Sequence, residues 1–248
     1  MSRVDYYREV LRNLSDWDAF LLQESGLPGP RGNLELAHAV ADEGNGELFV
    51  RYLSYDPQQA PTNSPYEFLA FCGVVGMGRL LAEGRLELFE TLRQCASDPR
   101  WRMREGVAQA LQRLGRGDMG SLLAEMERWS KGTFLEKRAA AAALSEPELL
   151  GEGEHVLRVL RILDDITASI ASGEDRRSEE FRVLRQGLGY CWSVVVAALP
   201  EEGKRIMEKW LAHEDRDVLW IMRQNLRKKR LARLDAEWVE SWKAQLGV

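Results

Sequence analysis

The chain has 248 residues, of which 45% are hydrophobic and 29% are charged. Its 8 Pro and 21 Gly, without any biased tract, exclude a collagen-like, mucin-like or largely disordered chain, because enough apolar surface exists to offset the entropy lost on ordering. The formal net charge of -5 argues against a strongly basic nucleic-acid-binding domain.

Three scattered cysteines and a charged start indicate the compartment. Cys72, Cys95 and Cys191 form no CxxC pair, which predicts a reducing environment rather than a disulfide framework. The first residues carry charge and lack the apolar stretch of a secretory signal. The longest uncharged stretches, 68–78 and 186–200, are shorter than the ~18 to 20 residues that cross a bilayer. We therefore expect a cytoplasmic protein with no membrane segment.

Apolar residues recur with helical spacing along almost the whole chain. Met103, Val107 and Leu111 are one example, and no run of period-two alternation indicates a strand. Capping residues stand at the expected helix starts, and glycines stand where the apolar periodicity stops. We predict an all-α protein of about fourteen helices. In chain order they span residues 3–14, 17–25, 34–43, 46–54, 65–83, 85–96, 99–114, 119–130, 134–144, 154–171, 178–198, 201–212, 216–232 and 235–246.

A short pattern recurs around four arginines, each of which begins an R-x-small-apolar kernel. The arginines are Arg104, Arg138, Arg185 and Arg223. An aromatic residue stands three or four positions before each of them, namely Trp101, Phe134, Phe181 and Trp220. The intervals of 34, 47 and 38 residues are close to the period of paired-helix repeats, roughly 40 to 47 residues. Because one helix pair cannot bury its apolar face alone, such repeats stack into a continuous core.

Two of these units share a pair of charged residues with a known repeat family. Asp98 and Asp217 each stand six residues before an arginine, Arg104 and Arg223 respectively. In this feature the chain resembles the HEAT-repeat, armadillo-type α-solenoids, whose second helix carries the pair. The resemblance implies a right-handed α–α superhelix of about 12–14 helices in antiparallel pairs. It also implies that these four residues form a ladder between stacked repeats.

The chain shows no clear domain linker. Two loops, 27–33 and 56–63, are longer than the others and contain proline, but neither shows a shift in composition. The sequence therefore predicts a single HEAT-like domain over 1–248. Within it, residues 1–63 would form divergent N-terminal cap helices and residues 64–248 would form the repeats.

The sequence contains no familiar catalytic or metal-binding pattern. His38, His155 and His213 are isolated, so their spacing brings no two imidazoles to one metal. The dipeptide His213-Glu214 occurs once, whereas the HEAT-repeat di-iron hydroxylases acquire iron through several such dipeptides. No nucleophile elbow, P-loop or dinucleotide-binding pattern occurs. We expect no metal and no cofactor, and we favour a non-catalytic role over an enzyme.

Basic residues near the end of the chain give the strongest functional signal. Arg223, Arg227 and Arg230 would share one face of a single helix at positions i, i+4 and i+7. The candidate binding groove extends this face with residues at equivalent places in other repeats, namely Trp101, Arg104, Arg138, Arg185 and Trp220. Such a surface suits a phosphate backbone or an acidic protein segment. The alternative interpretation is a set of Asp–Arg ladders beside a solvated face.

Two functions follow from this surface. The favoured hypothesis is a non-catalytic scaffold that binds a protein segment through its concave groove. The alternative is nucleic-acid binding, because the chain is also similar to the bacterial HEAT-like DNA alkylpurine glycosylases, which hold DNA in a basic groove. That similarity implies stacking roles for Trp101 and Trp220, although no stretch matches the catalytic motif of that family. A third hypothesis is a lyase or chaperone for a cofactor-bearing protein.

Overall fold

The computed structural model describes residues 2–172 and 175–247. Within these ranges all regular secondary structure is helical, which confirms the all-α class. The α-helices are α1 (Arg3–Arg12), α2 (Asp18–Glu24), α3 (Leu34–Glu43), α4 (Gly46–Leu53), α5 (Pro65–Ala82), α6 (Leu88–Cys95), α7 (Trp101–Gly115), α8 (Met119–Trp129), α9 (Phe134–Leu144), α10 (Gly153–Ala171), α11 (Glu179–Ala198), α12 (Pro200–Leu211), α13 (Arg216–Leu226), α14 (Lys229–Leu234) and α15 (Ala236–Leu246). A short 3-10 helix, Pro147–Leu149, lies between α9 and α10. None of the described helices has the length and apolarity needed to cross a membrane.

Each predicted helix corresponds to one observed helix except 216–232, which is two helices. Arg227 ends α13, and Lys228 adopts an extended backbone with ψ of 123° before α14 begins. Leu226 and Leu231 are both buried. In one continuous helix these two side chains, five residues apart, would point about 140° away from each other. The break lets both reach the core, so the prediction of a single helix here was wrong.

The chain divides into two compact units, Met1–Asp118 and Met119–Val248. In the first unit, α1, α3, α5 and α7 are successive neighbours, and α2, α4 and α6 also contact α5. Helix α5 is buried over almost its whole length, as the uncharged stretch 68–78 within it predicts. It is therefore the central element of this unit. The predicted limit between cap helices and repeats, at residues 63 and 64, falls inside the unit just before α5.

Three glycines let neighbouring helices approach α5 closely. A Cβ atom at Gly73 would lie 2.9 Å from the Phe49 carbonyl oxygen, and one at Gly76 would lie 2.3 Å from the Phe49 ring. On the side of α7, a Cβ atom at Gly78 would lie 2.4 Å from the Ala110 Cα. Real Cβ atoms do not approach other atoms this closely, so these positions require glycine. The small-residue pattern thus marks tight helix packing.

The second unit contains helix pairs arranged in two rows. Helices α9, α11 and α13 are successive neighbours, as are α8, α10 and α12, and each helix of one row contacts its sequence partner in the other. Helices α14 and α15 contact the C-terminal end of the first row, on α11 and α13. This pairing is what a stack of helical repeats requires. The right-handed superhelix itself stays a prediction.

Candidate functional site

Asp217 links two helices of the row formed by α9, α11 and α13. Its carboxylate is 1% exposed and accepts a hydrogen bond of 2.5 Å from Nη1 of Arg185, which lies on α11. A second guanidinium, that of Arg176, donates to it at 3.3 Å and to Asp215 at 2.5 Å. The contact with Arg185 therefore joins α13 to the preceding helix of the row, as a ladder between repeats requires. The Asp217 carboxylate serves packing, because removing it would leave the Arg185 guanidinium without its acidic partner between the two helices.

The same Asp215 begins α13. Its carboxylate accepts hydrogen bonds from the backbone N–H groups of Asp217 and Val218, at 2.9 and 3.1 Å. Burial acts to raise the pKa of Asp215, but the Arg176 guanidinium and these two N–H groups hold it below its ordinary value. The start of α13 is therefore fixed by charge as well as by capping.

The other predicted ladder residues have different partners. Arg223 is not brought to Asp217; it donates to the carbonyl oxygen of Leu246 at 3.0 Å. In the first unit, the Asp98 carboxylate accepts from Arg100 at 2.9 and 2.7 Å. Arg104 donates to the backbone carbonyl of Asp98 at 2.6 Å rather than to its carboxylate. Arg104 thus holds the turn that precedes α7, and Arg223 holds the end of α15.

Three candidate groove residues, Arg138, Arg185 and Trp220, lie one on each of the neighbouring helices α9, α11 and α13. The Cγ atom of Arg138 on α9 would lie 3.4 Å from a Cβ atom at Gly187 on α11. The Arg185 guanidinium carbon lies 4.5 Å from the ring centroid of Trp220 on α13, a cation–π contact. Gly189 gives the Trp220 ring room, because a Cβ atom there would lie 3.3 Å from Cζ3 of that ring. Glycines on α11 therefore allow its neighbours to contact it along this surface.

A second group of cations surrounds Tyr190, a residue that the sequence did not single out. Tyr190 lies on α11 with 46% of its surface exposed. The Arg230 guanidinium carbon lies 4.9 Å from the ring centroid, and its Nη2 donates to the phenol oxygen at 2.6 Å. The Lys228 Nζ atom lies 5.6 Å from the same centroid. No sequence signal distinguishes this exposed tyrosine from the buried Trp192 two positions later.

The predicted face of Arg223, Arg227 and Arg230 does not form. It required an unbroken helix, but α13 ends at Leu226 and the backbone of Lys228 is extended. Arg227 caps the end of α13 and is exposed, whereas Arg230 lies on α14 against Tyr190. The cationic surface therefore lies around the turn between α13 and α14, and not on one face of a single helix.

Five basic residues at this turn and along α14 form what we call the α14 cation cluster. They are Arg227, Lys228, Lys229, Arg230 and Arg233. Within the described residues, none of the five makes an ion pair with an acidic side chain. The next acidic residue, Asp235, caps α15 through the Trp238 N–H and contacts Lys204 at 3.0 Å. The hydrogen bond from the Trp238 N–H has the larger effect and that from Lys204 the next, and both lower the pKa of Asp235. The negative charge of Asp235 is therefore already balanced by these two groups rather than by the α14 cation cluster.

The two remaining candidate residues, Trp101 and Arg104, belong to the first unit. Trp101 begins α7 and is 45% exposed, and the Arg102 guanidinium carbon lies 4.5 Å from its ring centroid. The second unit contains the other candidates, namely Arg138, Arg185, Trp220, Arg223, Arg227 and Arg230. The candidate groove residues are therefore distributed over both units.

The described residues give no sign of metal or thiol chemistry. Among them, no three His, Cys, Asp or Glu side chains are grouped so that they could hold a metal ion. Cys72, Cys95 and Cys191 form no disulfide within the described residues. Burial raises the pKa of Cys72 well above its ordinary value and that of Cys95 to about 11. Both are protonated at neutral pH and are poor nucleophiles.

Comparison with known proteins gives no family for this chain. No protein-family model matches the sequence. No curated protein is significantly similar to it. Among solved structures, the crystal structure of an engineered protein is similar over 98% of this chain and 98% of its own, with 14% sequence identity and a TM-score of 0.36.

Proposed function

We propose that this protein is a non-catalytic helical scaffold that binds an acidic protein segment at the α14 cation cluster and the adjoining surface of α11. The observation that carries the proposal is that the five cations of the cluster lack acidic partners among the described residues, while an exposed tyrosine, Tyr190, contacts two of them. Uncompensated like charges repel one another, so a bound anion would relieve that repulsion. Arg227, Arg230 and Arg233 can each bind a carboxylate through two parallel hydrogen bonds.

A HEAT-like superhelix and a cytoplasmic location complete this proposal. The two rows of helix pairs in the second unit support the superhelix. The three cysteines, which form no disulfide within the described residues, support a reducing compartment.

The charge of the whole chain favours a protein segment over a nucleic acid. The net charge of -5 repels a long polyanion, whereas a short acidic segment meets only the local cluster. A nucleic acid is the second candidate, because an exposed aromatic ring with two cations close to it, as at Tyr190, is the kind of platform on which bases stack. Binding of either ligand would weaken with salt, so salt dependence alone does not distinguish a protein segment from a nucleic acid. Replacement of Tyr190 does distinguish them, because only a nucleic acid would stack its bases on that ring.

The test is a fluorescence-anisotropy titration of the full chain with a labelled oligoglutamate peptide and, separately, a labelled single-stranded DNA. Arg227 and Lys229 are exposed and hold no other group in place, so the variant Arg227→Ala/Lys229→Ala removes charge without disturbing packing. We expect it to weaken peptide binding by about tenfold, since each exposed ionic contact contributes up to about 1 kcal/mol. Tyr190→Leu leaves all five positive charges in place, so it should weaken peptide binding less than the double variant does.

The matched control is Lys131→Ala/Arg161→Ala, which removes the same charge from exposed positions elsewhere in the second unit. Its peptide affinity should equal that of the wild type. Equal losses in the two double variants would mean that net charge alone, rather than the cluster, attracts the peptide. Tighter binding of DNA than of peptide, lost in Tyr190→Leu, would replace the protein segment with a nucleic acid.

A further inference from the structure

A cavity of about 330 Å³ opens between the loop that precedes α3 and the helices α5 and α7 of the first unit. Its walls are largely apolar: Leu34 from the first position of α3, Phe68 and Phe71 from α5, and Trp101 from α7. This volume and this mixture of many apolar with few polar groups are typical of a small-molecule site. The cavity belongs to the first unit, whereas the α14 cation cluster belongs to the second.

The apolar wall is exposed where a ligand would meet it. Trp101 and Leu34 are 45% and 42% exposed, which is high for large apolar side chains. Behind them, Phe68 and Phe71 are almost fully buried, with ring centroids 6.4 Å apart. A flat ring in this cavity would gain contact with three aromatic side chains, and offset or edge-on arrangements of such rings are favourable.

A buried ion pair holds the walls in place. Glu67, which is fully buried, accepts from Arg102 Nη1 at 2.9 Å and from the backbone N–H of Asn63 at 2.7 Å. Arg102 Nη2 donates to the Gly29 carbonyl at 2.7 Å, and its guanidinium lies over the Trp101 ring. A buried ion pair contributes little net stability compared with apolar residues of similar volume. Its effect here is to fix the loop and the indole ring, which lowers the entropy lost when a ligand binds.

The polar groups differ between the two sides of the cavity. On the loop side, Arg31 is exposed and has no ion-pair partner among the described residues. On the α7 side, Glu105 and Gln109 are one helical turn apart and both supply oxygen acceptors. The Gln109 Oε1 atom is buried and accepts no hydrogen bond. The cavity thus offers a cation on one side and acceptors on the other.

We infer that this cavity binds a small aromatic acid, a molecule with a planar ring, an N–H donor and a carboxylate. The ring contacts Phe68, Phe71 and Trp101. The carboxylate binds the Arg31 guanidinium, and the N–H group donates to Gln109 Oε1, which otherwise has no partner.

The test is isothermal titration calorimetry of the full chain with indole-3-acetate, which carries all three features. Naphthalene-1-acetate lacks the N–H donor, and 3-methylindole lacks the carboxylate. We expect measurable binding of indole-3-acetate and weaker binding of each of the other two. Arg31→Ala should weaken indole-3-acetate binding by about tenfold, the effect of losing one charge-assisted hydrogen bond.

Gly32→Leu should abolish binding by filling the cavity. A Cβ atom at Gly32 would lie 3.6 Å from the Phe68 ring, an ordinary contact, so the larger side chain can enter the space without a backbone clash. Trp101→Ala, at an exposed position, is a second test that does not depend on filling. The control Arg3→Ala removes an exposed cation elsewhere in the first unit and should bind as the wild type does.

Three results would overturn the inference. They are no binding of indole-3-acetate to the wild type, undiminished binding to Gly32→Leu or Trp101→Ala, and equal losses in Arg31→Ala and Arg3→Ala. If naphthalene-1-acetate bound as tightly as indole-3-acetate, neither the ligand N–H group nor Gln109 would contribute to binding. Circular dichroism of each variant confirms that it is folded before its affinity is compared.

Discussion

Glu43, at the end of α3, shows how one carboxylate can join two helices. It accepts a hydrogen bond from Arg8 at 2.7 Å and two from Arg12, both at 2.7 Å, all from α1. The hydrogen bond from Arg12 has the largest effect on the pKa of Glu43, and burial, the next largest, acts to raise it; with the further hydrogen bond from Arg8, the pKa stays below its ordinary value. The folded state therefore favours the ionised carboxylate more than the unfolded state does.

This shift gives the free energy of unfolding a defined pH dependence. The stabilisation is fully present above the unfolded pKa of a glutamate, about 4.3, and is lost as the pH falls through the lower folded value. Glu43→Gln should lower the free energy of unfolding at pH 7 and make it less dependent on pH below about 4.3. Urea unfolding at a series of pH values measures both effects. Glu35→Gln, an exposed change on the same helix, should leave the profile unaltered.

At the scale of elements, the contact between α5 and α7 depends on the missing side chain of Gly78. The Cα of Ala110 occupies the space that a Cβ atom at Gly78 would need. Since that obstacle is backbone, it cannot move aside as a flexible side chain could. The two helices must separate if the glycine is replaced.

Gly78→Ala should therefore destabilise the protein by about 1–3 kcal/mol, the usual cost of overpacking a close-packed interface. Chemical denaturation followed by circular dichroism measures the difference. Gly153→Ala, at the start of α10 with no atom within 4 Å of the new Cβ, is the matched control. It should be neutral or should stabilise by up to about 1 kcal/mol. Equal destabilisation by both changes would show that the close approach does not matter.

At the scale of the whole molecule, charge is unevenly distributed. The chain carries a net charge of -5, yet the α14 cation cluster places five positive charges within seven residues. Salt weakens attraction between exposed charges at a separation beyond the Debye length, about 8 Å at physiological ionic strength. The proposed partner contact should therefore be sensitive to salt.

We expect the affinity for oligoglutamate to fall as sodium chloride is raised from low to physiological concentration. The slope of log affinity against log salt should be shallower for Arg227→Ala/Lys229→Ala, because fewer counterions are exchanged when the peptide binds. Anisotropy titrations at several salt concentrations give the slope for each protein. Identical slopes would indicate that the peptide binds elsewhere.

Much of the fold could be predicted from the sequence, because local signals determine it. Apolar periodicity and capping residues such as Ser64 and Thr133 mark the helices, and both side chains accept from the backbone three residues on. Gly73 and Gly76 indicated close packing, and the Cβ distances explain it. The division into two units was not visible, because no change in composition accompanies it.

The candidate site was less predictable, because it depends on long-range contacts. The break after Arg227 follows from the burial of both Leu226 and Leu231, which only the tertiary packing decides. Asp217 was singled out as a ladder residue, yet its partner Arg185 is 32 residues away on another helix. The cavity in the first unit combines a loop with two helices, and no spacing in the sequence records that combination.

The glycines of α5 also constrain how this protein can change over evolutionary time. Positions 73, 76 and 78 admit no side chain, whereas exposed charges such as Arg227 can be exchanged at little cost to folding. Descendants of a common ancestor should therefore retain the G-x-x-G-x-G spacing of α5 after their surfaces have diverged. The ancestry of this chain is better sought through that buried helix than through the residues that contact a partner.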